Sequence, residues 1–451
     1  MDSGGAGGRQ WLPCVVRAEF QVPEPVWFVR PARPVTGDPM ALREHPYVRL
    51  AHQRSFVLLW SGQLVSLFGD RIHQMALIMV VVSLGSSSLA MAAVFSAATL
   101  PAIVLGPVLG ALVDRVDQRR LLIGLDLLRA VLVALIPVAV AFSFWLAIPL
   151  LLVIGTASAA FGPARFAVVS RAVAKEDLAA ANASLMAADN LADLAGYPLA
   201  GAVVVILAAN LPLSFYLDAM SYVVSALAIV RAGARLAEPI PAPLVALDVR
   251  AEISAAWDFL RREPALFANT VQGVLGQAST GVCVVLMPLY ATGLLASGTG
   301  VAPGFALGAI QTGLGVGLVL GSVVVGGISH RFRAGRLVIL GYVSSGLLIA
   351  LYAVSGTLYV AVPIVVVGAI ANMVYLIPSL ALFAKRVPAG MMGRVVALRR
   401  AMISAAYLLG MQLAGILGSP FGFGSVLLAA GVFTMFTGGI AAFFPQVRDA
   451  D

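Results

Sequence analysis

The stretch GALVDRVDQRRLL, residues 110–122, holds Asp114, Arg115, Asp117, Arg119 and Arg120 within seven positions, in a chain that is 60 % hydrophobic and only 11 % charged. Apolar runs flank it on both sides. Read outward from this loop, 89–113 and 121–143 are long enough to cross a bilayer core, which takes about 20 apolar residues. The same reading gives ten further spans, at 56–84, 146–168, 183–208, 213–233, 266–292, 303–328, 337–355, 359–384, 396–417 and 423–445. Mean hydropathy is +0.97. A globular chain carries about a quarter charged residues. The sequence therefore predicts an all-α polytopic membrane protein with twelve transmembrane helices.

The net charge of +8 is not spread as a nucleic-acid face would be. Basic residues collect in alternate connections: Arg115, Arg119 and Arg120; Arg171 and Lys175; Arg231 and Arg235; Arg331, Arg333 and Arg336; Lys385, Arg386 and Arg394. The intervening connections, near 85–88, 144–145, 209–212, 293–302, 356–358 and 418–422, contain no Lys or Arg. Such asymmetry places the basic loops, and with them both termini, in the cytoplasm. The expected location is the cell inner (plasma) membrane. Cys14 and Cys283 form no disulfide framework.

Residues 1–45 hold six prolines and no apolar span, and read as a disordered cytoplasmic tail. Met40 would itself make a sensible start. Spans one to six occupy an N-terminal bundle, 46–233, and the rest a C-terminal bundle, 266–445. Between them 234–265 begins Pro-rich and ends in the helical WDFLRRE, a cytoplasmic linker; 446–451 is a short tail. An internal repeat supports the division. GALVDRVDQRRL from Gly110 aligns without a gap on GGISHRFRAGRL from Gly326, an offset of 216 residues, and YPLAG repeats as MQLAG 214 residues on. Two such halves are a common transporter layout.

Gly110, Leu112, Asp114, Arg115, Arg119 and Arg120 compose G-x-L-x-D-R-x-x-R-R, which resembles the signature loop of the major facilitator superfamily. SGQLVSLFGDRIHQMAL, FGPARFAVVSRAVAKEDLAAANASL, FYLDAMSYVVSALAIV and VPAGMMGRVVALRRA look like one exporter branch. That branch holds macrolide and multidrug efflux proteins, the enterobactin exporter and a lysophospholipid transporter. The resemblance runs from about residue 50 to 445. It implies two pseudo-symmetric six-helix bundles and a loop that latches them when the cavity faces outward. Asp114 would then accept from backbone N–H groups of span eleven, and Arg115, Arg119 and Arg120 would pair with carboxylates. Exposed ion pairs are worth about 0–1 kcal/mol, so such a latch reopens. The alternative is a solvated loop that only fixes topology. Three departures are visible. Tyr197 and Pro198 stand where the antiporter pattern has Gly-Pro, His330 stands opposite Asp114, and span four lacks a mid-membrane arginine.

Ionisable groups inside spans are costly and are functional candidates by default. Asp70, Arg71 and His73 lie near the middle of span one; Asp126 and Arg129 in span three; Asp189 and Asp193 in span five; Asp218 in span six. No Asp or Glu occurs between Glu263 and Asp449, so any carboxylate proton carrier belongs to the N-terminal half. Asp70 leads for proton carriage or cation binding, with a helix-positioning pair to an arginine as the alternative. Asp193 is second. His73 brings a side chain that ordinarily titrates near neutrality, though a lone His also serves packing. Gln63 and Gln74 add polar lining, while Asp218, and Asp126 with Arg129, read as structural.

For the ligand, Phe68, Met75, Met79, Phe161, Tyr197, Met287, Tyr290, Tyr375 and Tyr407 offer apolar inner faces that suit an amphiphile, with plain packing as the alternative for each. Four glycine positions apart, as at Gly106 and Gly110 and at Gly313, Gly317 and Gly321, predicts close helix contact. The leading expectation is a monomeric secondary exporter of a small amphiphile against proton entry, with no cofactor or metal and only protons, ligand and bilayer as partners. A narrow siderophore, lipid or metabolite carrier is the alternative, then a non-transporting sensor. An enzyme is disfavoured, since no HExxH, CxxC or Walker motif occurs. A membrane-impermeant thiol reagent added to intact cells should label Gly298→Cys but not Arg119→Cys. External labelling at 119 would invert the topology.

Overall fold

The computed structural model describes residues 45–113, 115–233, 249–328, 331–442 and Arg448. The predicted tail 1–45 (save His45), residues 234–248 of the linker, Asp114, His330 and most of the C-terminal tail lie outside the described residues. The spans fold as Arg54–Ser83, Ser88–Val113, Gln118–Phe142, Ala147–Ala172, Leu178–Ile206, Pro212–Ala232, Pro264–Thr299, Pro303–Ile328, Ala334–Val354, Leu358–Arg386, Ala389–Phe421 and Phe423–Ala442. Eleven are long and apolar enough to cross a membrane. The exception is the fifth, Leu178–Ile206, whose Asp189, Asn190 and Asp193 dilute its apolar character. Several helices run past their apolar stretch; span eleven begins at Ala389 where hydropathy suggested 396.

The main packings within the first six spans recur six spans later. Spans 1·6, 2·4, 3·4, 3·6 and 1·5 pair as do 7·12, 8·10, 9·10, 9·12 and 7·11, and the halves meet through 2·11 and 5·8. Small residues make these contacts possible, because a bilayer gives no hydrophobic gain for helix association. Gly313, Gly317 and Gly321 seat span 8 against Val362, Val366 and Ile370 of span 10, as the spacing predicted. Gly106 and Gly110 correct that expectation: a Cβ at either would meet nothing within 4 Å.

The reason lies in how the halves are disposed. Away from the basic loops, Gly201 of span 5 lies against Gly308 of span 8, where an added Cβ would sit 3.0 Å from the facing backbone. There too Ser88 donates to Gly415 O (2.9 Å) and its Oγ lies 2.8 Å from that of Ser419. At the basic end, Gly106, Gly110, Gly326, Gly327, Gly390 and Gly393 all face open space. One end is sealed and the other is open.

The described residues of the 110–122 loop tie elements of their own half. Asp117 caps span 3, accepting from Arg120 N at 3.1 Å. Gln118 donates to Val113 O (3.0 Å) and accepts from Arg171 (2.6 Å). Arg119 donates to Val230 O at 2.8 Å. Before the first span, Pro46–His52 is held by Arg49 donating to Asp177 (3.1 Å). After the linker, Val249–Arg262 is helical, as the WDFLRRE reading expected, and buries Ala256 and Leu260 against Leu266, Phe383 and Val395.

Two consequences bear on experiment. Gly298 backs onto the Gly356 carbonyl, so the neighbouring exposed Ser297 is the better site for a labelling cysteine. At the sealed end, Ser88→Cys with Ser419→Cys should cross-link on mild oxidation and stop transport until a reductant is added. Membranes in which that pair never cross-links would show the seal to be absent.

Candidate functional site

Span 1 presents two polar faces. On the first, Asp70 and His73 are one turn apart and point at spans 3 and 6. Gly69 permits the approach, since a Cβ there would collide with Asp218 and Ser221. The His73 imidazole Nδ1 lies 2.5 Å from Asp218 Oδ2, and the Ser221 hydroxyl donates to Asp218 Oδ1 at 2.9 Å. Asp70 accepts from the Tyr222 hydroxyl. Beneath that ring the Arg129 guanidinium is clasped between Phe161 and Tyr222, at 4.1 and 4.4 Å from their centroids, and ion-pairs with Asp126. Asp126 and Asp218 are fully buried. Burial of charge on this scale requires a partner for each group. Asp70, His73 and Asp218 offer ligand atoms within 4.8 Å of one another, yet each already has a hydrogen-bond partner.

On the other face, Arg71 meets span 5. Its Nε and Nη2 donate to Asp193 Oδ1 at 2.9 and 2.5 Å, and Nη1 to Gln74 Oε1 at 3.3 Å. Tyr197 lies under the guanidinium at 5.1 Å. Span 5 is π-helical over Ala192–Gly196, next to Pro198. A π-turn absorbs the backbone disturbance that proline causes. Gly196 lets the Arg71 stem pass at 3.0 Å from a notional Cβ, with Phe68 beside it. Closer to the basic end, Arg165 of span 4 forms a two-pronged pair with Asp189, at 3.1 and 2.9 Å. Both carboxylates remain partly open, with side chains 42 % and 40 % exposed.

The candidates therefore separate. Asp70 pairs with a tyrosine, while Arg71 serves Asp193. Asp218, read from sequence as structural, is the partner of His73. Arg165 and Arg399 escaped the sequence inventory although both fall within predicted spans, close to their basic ends. Arg399 donates to Asn269 (3.2 Å) and Ser379 (2.8 Å) and lies over Phe383. Gln63 is buried in span 1. Tyr290 ties spans 7 and 9, its hydroxyl shared between Ala353 O (2.9 Å) and Ser355 O (2.7 Å). In the described part of the signature loop Arg115 is exposed, and Arg120 pairs with its neighbour Asp117 at 3.2 Å.

Tyr375 belongs to a different feature, a cavity of about 370 Å³ inside the C-terminal half, walled by spans 7 to 10 with Tyr407 and Thr434. Its ring stacks on Tyr342, centroids 4.1 Å apart, and its hydroxyl accepts from Asn372 at 2.8 Å. Cys283 and Met287 also face it.

Similarity to known proteins agrees with this arrangement. The family model described as "transmembrane secretion effector" matches residues 46–451. Macrolide efflux protein A of Streptococcus pyogenes is 33 % identical over 127 residues, 27 % of this chain and 31 % of that protein, so the match spans about a third of that relative. The uncharacterized MFS-type transporter YfiS of Bacillus subtilis is 25 % identical over 421 residues, covering 90 % of this chain and 96 % of that one. Among solved structures, the nucleoside transporter NupG aligns with a TM-score of 0.70 at 14 % identity, over 86 % of this chain and 99 % of that chain. A bacterial homologue of the human lysosomal transporter Spinster, inward-facing and unoccupied, gives 0.63 at 14 % identity over 88 % and 96 %. These two likenesses establish the fold. With a family match reaching from residue 46 to 451 over twelve spans in two repeated halves, the chain belongs to the transmembrane secretion effectors of the major facilitator superfamily.

Proposed function

We propose that this efflux-type transporter exports a small amphiphile from the cytoplasm across the plasma membrane, driven by protons entering through its N-terminal half. It works as a monomer with both termini and the basic loops cytoplasmic, so the open end takes up ligand from inside. The observation that carries the reading is the confinement of all five span carboxylates, Asp70, Asp126, Asp189, Asp193 and Asp218, to one half. Four of them meet an arginine or histidine within ion-pair distance. Asp70 has a hydroxyl partner instead.

That difference assigns roles. An acid bonded to a hydroxyl can gain a proton without breaking an ion pair, so Asp70 is the proton carrier, with His73 and Asp218 beside it. Asp193 keeps a partly exposed carboxylate beside Arg71, so their pairing can respond to a ligand that passes between the halves. Closing the basic end would bring the 110–122 loop toward the C-terminal half, the latch that the family resemblance implies. A narrow-specificity metabolite or lipid carrier uses the same cycle.

In vesicles with an imposed pH gradient, Asp70→Asn should abolish uphill efflux while gradient-free exchange continues, because an amide cannot carry the proton through the cycle. Asp193→Asn should keep pH-driven transport and alter apparent ligand affinity, since it leaves Arg71 without its carboxylate. Full gradient-driven transport by the Asp70 variant would remove it as carrier. Loss in the Asp193 variant alone would hand the role to span 5.

A further inference from the structure

The cavity in the C-terminal half sits where the N-terminal half keeps charge. Spans 3 and 9 begin at Gln118 and Ala334, at the same 216-residue offset that aligns the two loops. At that offset Asp126 and Arg129 fall on Tyr342 and Ser345, both of which line the cavity. One half fills this space with a buried ion pair clasped by two rings. The other leaves it open, with Gly276 making room for the Tyr342 ring against span 7.

We propose that this cavity is the ligand pocket and that the transported molecule, or the part of it held here, is uncharged. The inference rests on the export reading above and narrows its substrate class. Neither Asp nor Glu exists between Glu263 and Asp449, so a cation entering the pocket would be buried without a counter-ion. An anion fares no better. The nearby guanidinium of Arg399 is turned to Asn269 and Ser379 through Nη2 and does not line the cavity, so an anion held there would not reach it directly. What the wall offers is neutral polarity. Tyr342, Tyr407 and Gln311 face the cavity with no protein hydrogen-bond partner among the described residues, and Asn372 uses only its amide N–H toward Tyr375. Those groups call for a ligand bearing neutral donors or acceptors, such as hydroxyl, ester or ketone, and an acyl chain would leave them unmet. At about 370 Å³ the space is near the lower end of small-molecule pockets, which run to roughly 1,000 Å³. Stacked Tyr342 and Tyr375 suit a flat ring system.

The test compares two ring compounds with the same number of heavy atoms: neutral N-phenyl-1-naphthylamine and cationic 1-benzylquinolinium. Binding is measured by equilibrium dialysis on purified full-length protein, against empty micelles and with no gradient. The neutral probe should bind and the cation should not displace it. Gly368→Leu, which pushes a side chain into the pocket, should weaken the neutral probe by about tenfold or more while the thermal unfolding midpoint is kept. Asn372→Asp, nearly isosteric, should reverse the preference toward the cation. Equal binding of both probes to the wild type, or an unchanged neutral affinity in Gly368→Leu, overturns the pocket. Failure of the export reading shows separately, as absent pH-driven flux with probe binding intact.

Discussion

Everything distinctive in this molecule follows from the expense of holding charge in a medium that cannot solvate it. Five carboxylates are accepted inside the spans, and each meets a named partner: Tyr222, Arg129, Arg165, Arg71 or His73. Those partnerships fix spans 1, 4, 5 and 6 relative to one another, and span 3 joins them through Arg129 between the rings of Phe161 and Tyr222. The C-terminal half carries no such acids and is assembled through glycine contacts and tyrosine hydroxyls, as between Gly317 and span 10 or Tyr290 and the end of span 9. Two halves with the same helix pairing thus have different interiors, one wired and one hollow.

How much of this could be read beforehand depends on what sort of physics is involved. Span positions, the basic-loop asymmetry and the repeat between Gly110 and Gly326 are one-dimensional patterns and were legible. Partner choice was not. Asp70 and Arg71 are neighbours in sequence, yet successive helical residues point about 100° apart, so one faces span 6 and the other span 5. His73 and Asp218 are separated by 145 residues and meet only because Gly69 lets two helices close up. The cavity was invisible for a related reason: an absence of side-chain volume has no residue of its own, and Tyr342 and Ser345 look like ordinary packing.

The glycine spacing teaches the same lesson from the other side. Small residues four apart license contact without compelling it. Gly313, Gly317 and Gly321 are in contact with span 10, whereas Gly106 and Gly110 stand in the open end.

The sealed end has a property that sets it apart from the rest of the molecule. Gly201 against Gly308 and Ser88 against Gly415 and Ser419 are contacts between uncharged groups. Parting them separates no charge, so the electrical potential across the membrane, worth about 2.3 kcal/mol per elementary charge per 100 mV, does no direct work on that step. Voltage acts where charge lies within the spans, as at Asp70, His73, Arg165 with Asp189, and Arg399. The seal is an electrically silent door, held by van der Waals fit and neutral hydrogen bonds.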